Sequence, residues 1–193
     1  MNKNIEIEYK LLLKKEEYEI LKPLFKTQGY EQTNYYFDTK DEKLRKARVT
    51  LRVRLKDGQY EFTLKRSGTI GIDEFNENIS KNDFECLTHG KEIKSEILTL
   101  LKDYQVSVYE LCQIYSLKTY RQDLSYKNGL LSLDKSEYLG VTDYEIEYEV
   151  TNTKNAINDF NDFLSVANVK YVRNCKGKRH RLCDVLYKTP FKR

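Results

Sequence analysis

Short runs in which apolar and charged residues alternate recur along this sequence, and they restrict it to a sheet with one ionic face. From Ile5 to Leu11, the residues Ile5, Ile7, Tyr9 and Leu11 share one parity, and Glu6, Glu8 and Lys10 share the other. A period of two places successive side chains on opposite faces of a strand. The clearest case lies between 48 and 66. Val49, Leu51, Val53 and Leu55 alternate with Arg48, Thr50, Arg52, Arg54 and Lys56, and Asp57-Gly58 then supplies a tight hairpin turn. The return strand places Tyr60, Phe62 and Leu64 on one face and Glu61, Thr63 and Lys65 on the other. That turn sets Arg54 opposite Glu61, Arg52 opposite Thr63 and Thr50 opposite Lys65, so the charged sides coincide.

The rest of the chain alternates between the two periods. Residues 14–27 carry Tyr18, Leu21, Leu24 and Phe25 at helical spacing, with Pro23 expected to kink the helix. A short strand comes next around Tyr35, Tyr36 and Phe37, and another at Ile72–Ile79 carries Glu74 and Glu77. Residues 81–102 read as one helix, through Phe84, Leu87, Ile93, Ile97, Leu98 and Leu101. A second hairpin is expected to turn at Asn128-Gly129, with Thr119, Arg121, Asp123, Ser125, Ser132 and Asp134 on one face. Asp143, Glu145, Glu147 and Glu149 then share one side of a strand, and Ile157, Phe160 and Phe163 mark a helix over 156–164. No linker interrupts 1–193, so one α+β domain is expected. Many antiparallel strands with tight turns imply a meander that curls or closes.

Composition excludes several classes. Lys and Arg number 34 against 30 Asp and Glu, a balance unlike that of a generic nucleic-acid binder. No apolar stretch is long enough for a membrane helix, and MNKNIEIEYK has no apolar leader core, so a cytoplasmic protein with no membrane partner is expected. Cys86, Cys112, Cys175 and Cys183 show no C-x-x-C spacing, and His89 and His180 are the only histidines; four reduced thiols are expected rather than a zinc site. Neither G-x-x-x-x-G-K-[ST] nor G-x-G-x-x-G occurs, nor does H-E-x-x-H.

The segregation of the charges bears on function. Carboxylates gather at 6–8, 74–77, 134 and 143–149, and cations at 48–56, 65, 121 and 176–181. A solvated sheet face would account for any one of these strands. Five such strands curling together would instead enclose a cavity of both signs, whose charges need partners. A polyanion and a divalent cation supply them. Arg and Lys hold phosphate oxygens, and carboxylates without His or Cys suit Mg²⁺ or Mn²⁺.

Glu6-Ile7-Glu8-Tyr9-Lys10 resembles the E-x-E-x-K signature that opens the CYTH domain, the family of triphosphate tunnel metalloenzymes. The order of the later motifs is similar too: LRVRL at 51–55, FTLK at 62–65, a glutamate strand, Arg121, Asp134, Glu145-x-Glu147 and a final lysine, with the likeness closest to the YjbK-like bacterial members. The resemblance implies a closed eight-stranded antiparallel β-barrel, or tunnel, with helices packed outside. It implies Mg²⁺- or Mn²⁺-dependent hydrolysis of a triphosphate. Glu6, Glu8, Glu74, Asp134, Glu145 and Glu147 would ligate metal. Lys10, Arg52, Arg54, Lys65 and Arg121, with Lys176 or Lys178, would bind phosphate. Lys10, Lys65 and Arg121 would be catalytic.

Hydrolysis of inorganic tripolyphosphate or of a nucleoside or thiamine triphosphate is the leading expectation. Adenylate cyclase chemistry, a non-catalytic polyphosphate- or nucleotide-binding module, and a sheet face that binds a protein partner are the alternatives. Monomer and homodimer are both open.

Overall fold

The computed structural model describes residues 1–69 and 71–187, with the side chains of residues 4–6 left undescribed. In chain order the elements are β1 (Asn2–Glu6), β2 (Glu8–Leu13), α1 (Lys15–Leu21), β3 (Tyr30–Thr39), α2 (Lys43–Lys46), β4 (Thr50–Lys56), β5 (Gln59–Ser67) and β6 (Ile72–Ile79). Then come α3 (Lys81–Thr88), α4 (Glu96–Leu100), β7 (Leu111–Tyr126), β8 (Gly129–Tyr138), β9 (Val141–Val150), α5 (Ala156–Leu164) and α6 (Lys178–Leu186). The chain packs as two compact units: Met1–Ile7 with Glu31–Lys118, and Glu8–Tyr30 with Thr119 onward.

In the first unit the ladders run β1-β6-β5-β4-β3 and then to the first half of β7. The 48–66 hairpin has the expected register, with Arg54 opposite Glu61, Arg52 opposite Thr63 and Thr50 opposite Lys65. Its turn works because Asp57 and Gly58 both take positive φ, 50° and 75°. The apolar parity buries Leu51, Val53, Phe62, Leu64 and Phe75 in one core with Leu87, Ile97 and Leu101. Glu77 falls opposite Phe62, on the other parity from Glu74, and accepts hydrogen bonds from the Ser95 hydroxyl and the Glu96 N–H.

In the second unit the second half of β7 leads to β8, β9 and β2. Leu131, Leu133, Ile146 and Tyr148 are buried there with Leu21, Phe160 and Leu164. Phe160 stacks on Tyr148 at 5.7 Å between ring centroids and lies 5.5 Å from Tyr171.

Several expectations need correction. The strand expected from Ile5 to Leu11 breaks at Ile7: β1 pairs with β6 and β2 with β9. With that break the described residues form nine strands where eight were expected, in the order β1-β6-β5-β4-β3-β7-β8-β9-β2, with no ladder among them closing the expected barrel. The helix expected over 14–27 stops after Leu21, where Pro23, which lacks an N–H, enters a 3₁₀ turn. The helix expected over 81–102 is two helices, because Gly90 takes a φ of 62° and Ser95 begins α4 by accepting the Leu98 N–H. The second hairpin also turns one residue early, at Lys127-Asn128, with Gly129 already in β8. Gly129 serves close approach instead of the turn, since a Cβ there would lie 2.3 Å from the Glu149 carbonyl oxygen. The shift keeps parity, so the charged face stays intact.

Among the described residues no helix is long and apolar enough to cross a membrane. Among the described residues no cysteine forms a disulfide.

Candidate functional site

The second unit brings its acidic parity together. Asp134 on β8 lies opposite Glu145 on β9, and Lys10 on β2 lies opposite Glu147. Residues directly opposite in a ladder share a face. One carboxylate oxygen from each of Asp134, Glu145 and Glu147 lies within 4.8 Å of the others, and no imidazole or thiolate belongs to that set. Asp134 is 0% exposed and Glu145 is 1% exposed, so both charges depend on protein partners.

Those partners are cations from β7 and α6. Arg121 on β7 grips Asp134 with both arms of its fork, Nε to Oδ1 at 2.7 Å and Nη2 to Oδ2 at 2.6 Å, and also bonds Glu147. The second hairpin's charged face continues outward, where the Ser132 hydroxyl donates to Asp123 at 2.7 Å. Lys178, at the start of α6, reaches Asp134 at 2.8 Å, Glu147 at 2.6 Å and also Glu145. Arg181 lies one turn on, the spacing that puts both side chains on one helix face. It donates through Nε to Asp143 at 2.7 Å and through Nη1 to Glu145 and the Lys176 carbonyl. Lys10 pairs with Glu8.

Burial and charge set the protonation states. Burial works to raise Glu147, but Lys178 and Arg121 outweigh it and hold its carboxyl well below the usual range. Burial raises Glu145, with Glu147 beside it pushing the same way. Of the two, Glu145 is the readier to take a proton. Lys178 and Arg121 lose solvation yet are held charged by the carboxylates around them, well above their ordinary values. Cys175, whose thiol lies 3.4 Å from Glu145, is pushed up to about 12 by burial and by that carboxylate, and stays a thiol at neutral pH.

The first unit holds a charged cluster of its own. Lys65 lies opposite Glu74 and bonds it, while Arg52 approaches the same carboxylate to 3.8 Å. Asn76 donates to Glu74 at 2.9 Å and accepts from Thr63 at 2.7 Å. Burial works to raise Glu74, but Lys65 and Arg52 outweigh it and bring it down to about 2. Arg54 donates through Nε to Asn34 at 3.1 Å. Among the described residues the Nε of Arg52 is buried without a hydrogen-bond partner.

Of the residues singled out in the sequence, Asp134, Glu145, Glu147, Arg121 and Lys178 meet in one cluster, with Lys10 and Glu8 on the neighbouring strand. Arg52, Lys65 and Glu74 meet in the other, with Arg54 further along β4. The side chain of Glu6 lies outside the described residues. Of the two candidate lysines, Lys178 joins that cluster, whereas Lys176 is exposed and pairs with Asp184 at 2.6 Å. Sequence reading counts Arg181 among the cations of 176–181 but does not single it out as a site residue. Its signal was the three-residue step from Lys178.

The CYTH domain model matches residues 4–175 of the chain. YjbK of Bacillus subtilis, named for a proposed triphosphatase activity, is 32% identical over 155 residues, covering 79% of this chain and 80% of that protein. Among solved structures, a candidate adenylate cyclase from Bacillus halodurans superposes with a TM-score of 0.85 at 34% identity, covering 94% of this chain and 98% of its own. HpAC1 from Hippeastrum, described as a candidate adenylyl cyclase that reveals a dominant triphosphatase activity, gives a TM-score of 0.78 at 23% identity, covering 94% of this chain and 96% of its own. At that identity the second likeness speaks for the fold alone.

Proposed function

Because the chain belongs to the CYTH domain family, we propose that it hydrolyses a triphosphate-containing small molecule with the help of a divalent cation. The observation that carries the proposal is the buried group of Asp134, Glu145 and Glu147, met by the cations Arg121 and Lys178. The donor set is all carboxylate oxygen, which suits a hard cation such as Mg²⁺ or Mn²⁺. When bound there, that ion supplies neutralisation of phosphate charge and a lowered pKa for water. Glu8 is proposed as a further acidic ligand in the second unit, and Glu6 and Glu74 as acidic ligands in the first.

The chain's own residues bind and orient. Arg121 presents a planar fork, already aligned by Asp134, to which phosphoryl oxygens can bond in place of a carboxylate. Lys10 and Lys178 offer compact ammonium donors. In the first unit Arg52, Arg54 and Lys65 form a cationic set of their own, and the unpartnered Nε of Arg52 is a buried donor that an anion would satisfy. Positioning and charge stabilisation, rather than covalent chemistry, carry phosphoryl transfer of this kind. Inorganic tripolyphosphate and nucleoside or thiamine triphosphates are the proposed substrates.

The description of the 34%-identical Bacillus halodurans protein as a candidate adenylate cyclase favours a second reading, conversion of ATP to cyclic AMP and pyrophosphate. One experiment separates the two. Purified protein is incubated with tripolyphosphate, ATP and thiamine triphosphate, each with Mg²⁺ or Mn²⁺, and the products are scored. Phosphate release supports hydrolysis, cyclic AMP with pyrophosphate supports the cyclase, and no product from any of them overturns both.

A further inference from the structure

The ions of the second unit's cluster are close to balance as they stand. Among the described residues in direct contact, Asp134, Asp143, Glu145 and Glu147 meet Arg121, Lys178 and Arg181, four carboxylates against three cations, which leaves one negative charge within that set. Lys10 and Glu8 pair with each other and cancel. Within this set Lys178 has a distinct position. An ammonium has three N–H donors; this one donates to Glu145 and Glu147 and lies 2.8 Å from Asp134. These are the same three side chains whose oxygens lie close enough together to hold a metal ion.

A divalent cation drawn to those oxygens would therefore meet a buried ammonium bonded to them. Added on top of Lys178, it would turn one residual negative charge into one residual positive charge in a site with little water to screen it. Exchanged for Lys178, it would bring the cluster to neutrality. The exchange needs somewhere for the ammonium to go. Lys178 is the first residue of α6, after Gly177, and sits at the end of a flexible four-carbon stem. Arg181, Leu182 and Cys183 stay buried behind it, and Arg181 is tied to Asp143 and Glu145. The side chain can thus swing away while the helix holds its place.

We infer that Lys178 is an internal counter-ion that keeps the carboxylate group from loading a divalent cation until a triphosphate arrives to accept the ammonium. The anion gives Lys178 new oxygens, vacates the three carboxylates and brings the negative charge that the incoming cation matches. Metal and triphosphate then strengthen each other's binding by the same factor, as linkage requires. This rests on the reading of the cluster as a metal and phosphate site, but it concerns order of loading and not turnover.

The test is equilibrium dialysis of Mn²⁺ against the full chain, with and without the hydrolysis-resistant imidotriphosphate on both sides of the membrane. The wild type is expected to hold Mn²⁺ at least about tenfold more tightly with imidotriphosphate present, within the range usual for coupled sites. Lys178→Met is expected to bind Mn²⁺ alone at least about tenfold more tightly than the wild type and to melt at a higher temperature once Mn²⁺ is added. Lys178→Arg, which keeps the charge, and Lys176→Met, which alters only the exposed pair with Asp184, are expected to match the wild type in Mn²⁺ binding without the anion. Equal Mn²⁺ affinity with and without imidotriphosphate in the wild type would overturn the inference, and needs no variant that has to fold. So would Lys178→Met binding Mn²⁺ alone no better than the wild type. Phosphate release without this coupling would refute the counter-ion role and leave the triphosphatase reading standing; coupling without phosphate release would do the reverse.

Discussion

Replacing Glu74 by Gln should remove a pH-dependent part of the stability of the first unit. The Glu74 carboxyl is held at about 2 against an ordinary 4.5, because Lys65 and Arg52 outweigh the cost of its burial. A gap of about 2.5 units at about 1.4 kcal/mol each corresponds to about 3 kcal/mol. Its folded-state value lies below the unfolded one, so this stability is fully present above pH about 4.5 and is lost as pH falls toward about 2. Urea unfolding monitored by far-ultraviolet circular dichroism, at a series of pH values with chelator present, would measure it in wild type and Glu74→Gln. Other carboxylates contribute equally to both chains and cancel in the difference. That difference should be largest at neutral pH and shrink by about 3 kcal/mol on going down to pH about 2. A difference that stays flat across the range, or widens toward acid, would refute the assignment of Lys65 and Arg52 as the partners that hold Glu74 ionised.

Phe160→Ala should cost about 3–5 kcal/mol in urea unfolding, since Phe160 is fully buried and packed on Tyr148 and Tyr171. Gly129→Ala should cost about 1–3 kcal/mol, because its Cβ would meet the Glu149 carbonyl at 2.3 Å and force β8 and β9 apart. Arg121→Lys keeps a positive charge but loses the two-armed grip on Asp134, and phosphate release from tripolyphosphate should fall at least about tenfold; an unchanged rate would show that the fork is not used.

The parity of the strands was legible because a period of two leaves little freedom once one face is apolar. Arg52, Thr63 and Lys65 could be placed on one face from spacing alone, whereas Glu74 joined them only through the resemblance, its pairing with Lys65 coming from the ladder. Parity also survived the error at Asn128-Gly129, since the turn moved by one residue and the register by two. The break at Ile7 was not legible: the alternation of 5–11 runs through it, and only the ladders show that Glu6 belongs with β6 and Glu8 with β9. The helix break at Gly90 was signalled by the glycine itself but was outvoted by apolar spacing on both sides. Arg181 stood only within the cation run 176–181, and its place beside Lys178 follows once α6 puts both on one face.

The most direct test of the central claim is the anomalous scattering of Mn²⁺ in crystals grown with Mn²⁺ and imidotriphosphate. A peak at about 2 Å from carboxylate oxygens of Asp134, Glu145 and Glu147 is the predicted result. Anomalous density elsewhere, with those three carboxylates still bonded to Lys178 and Arg121, would contradict it.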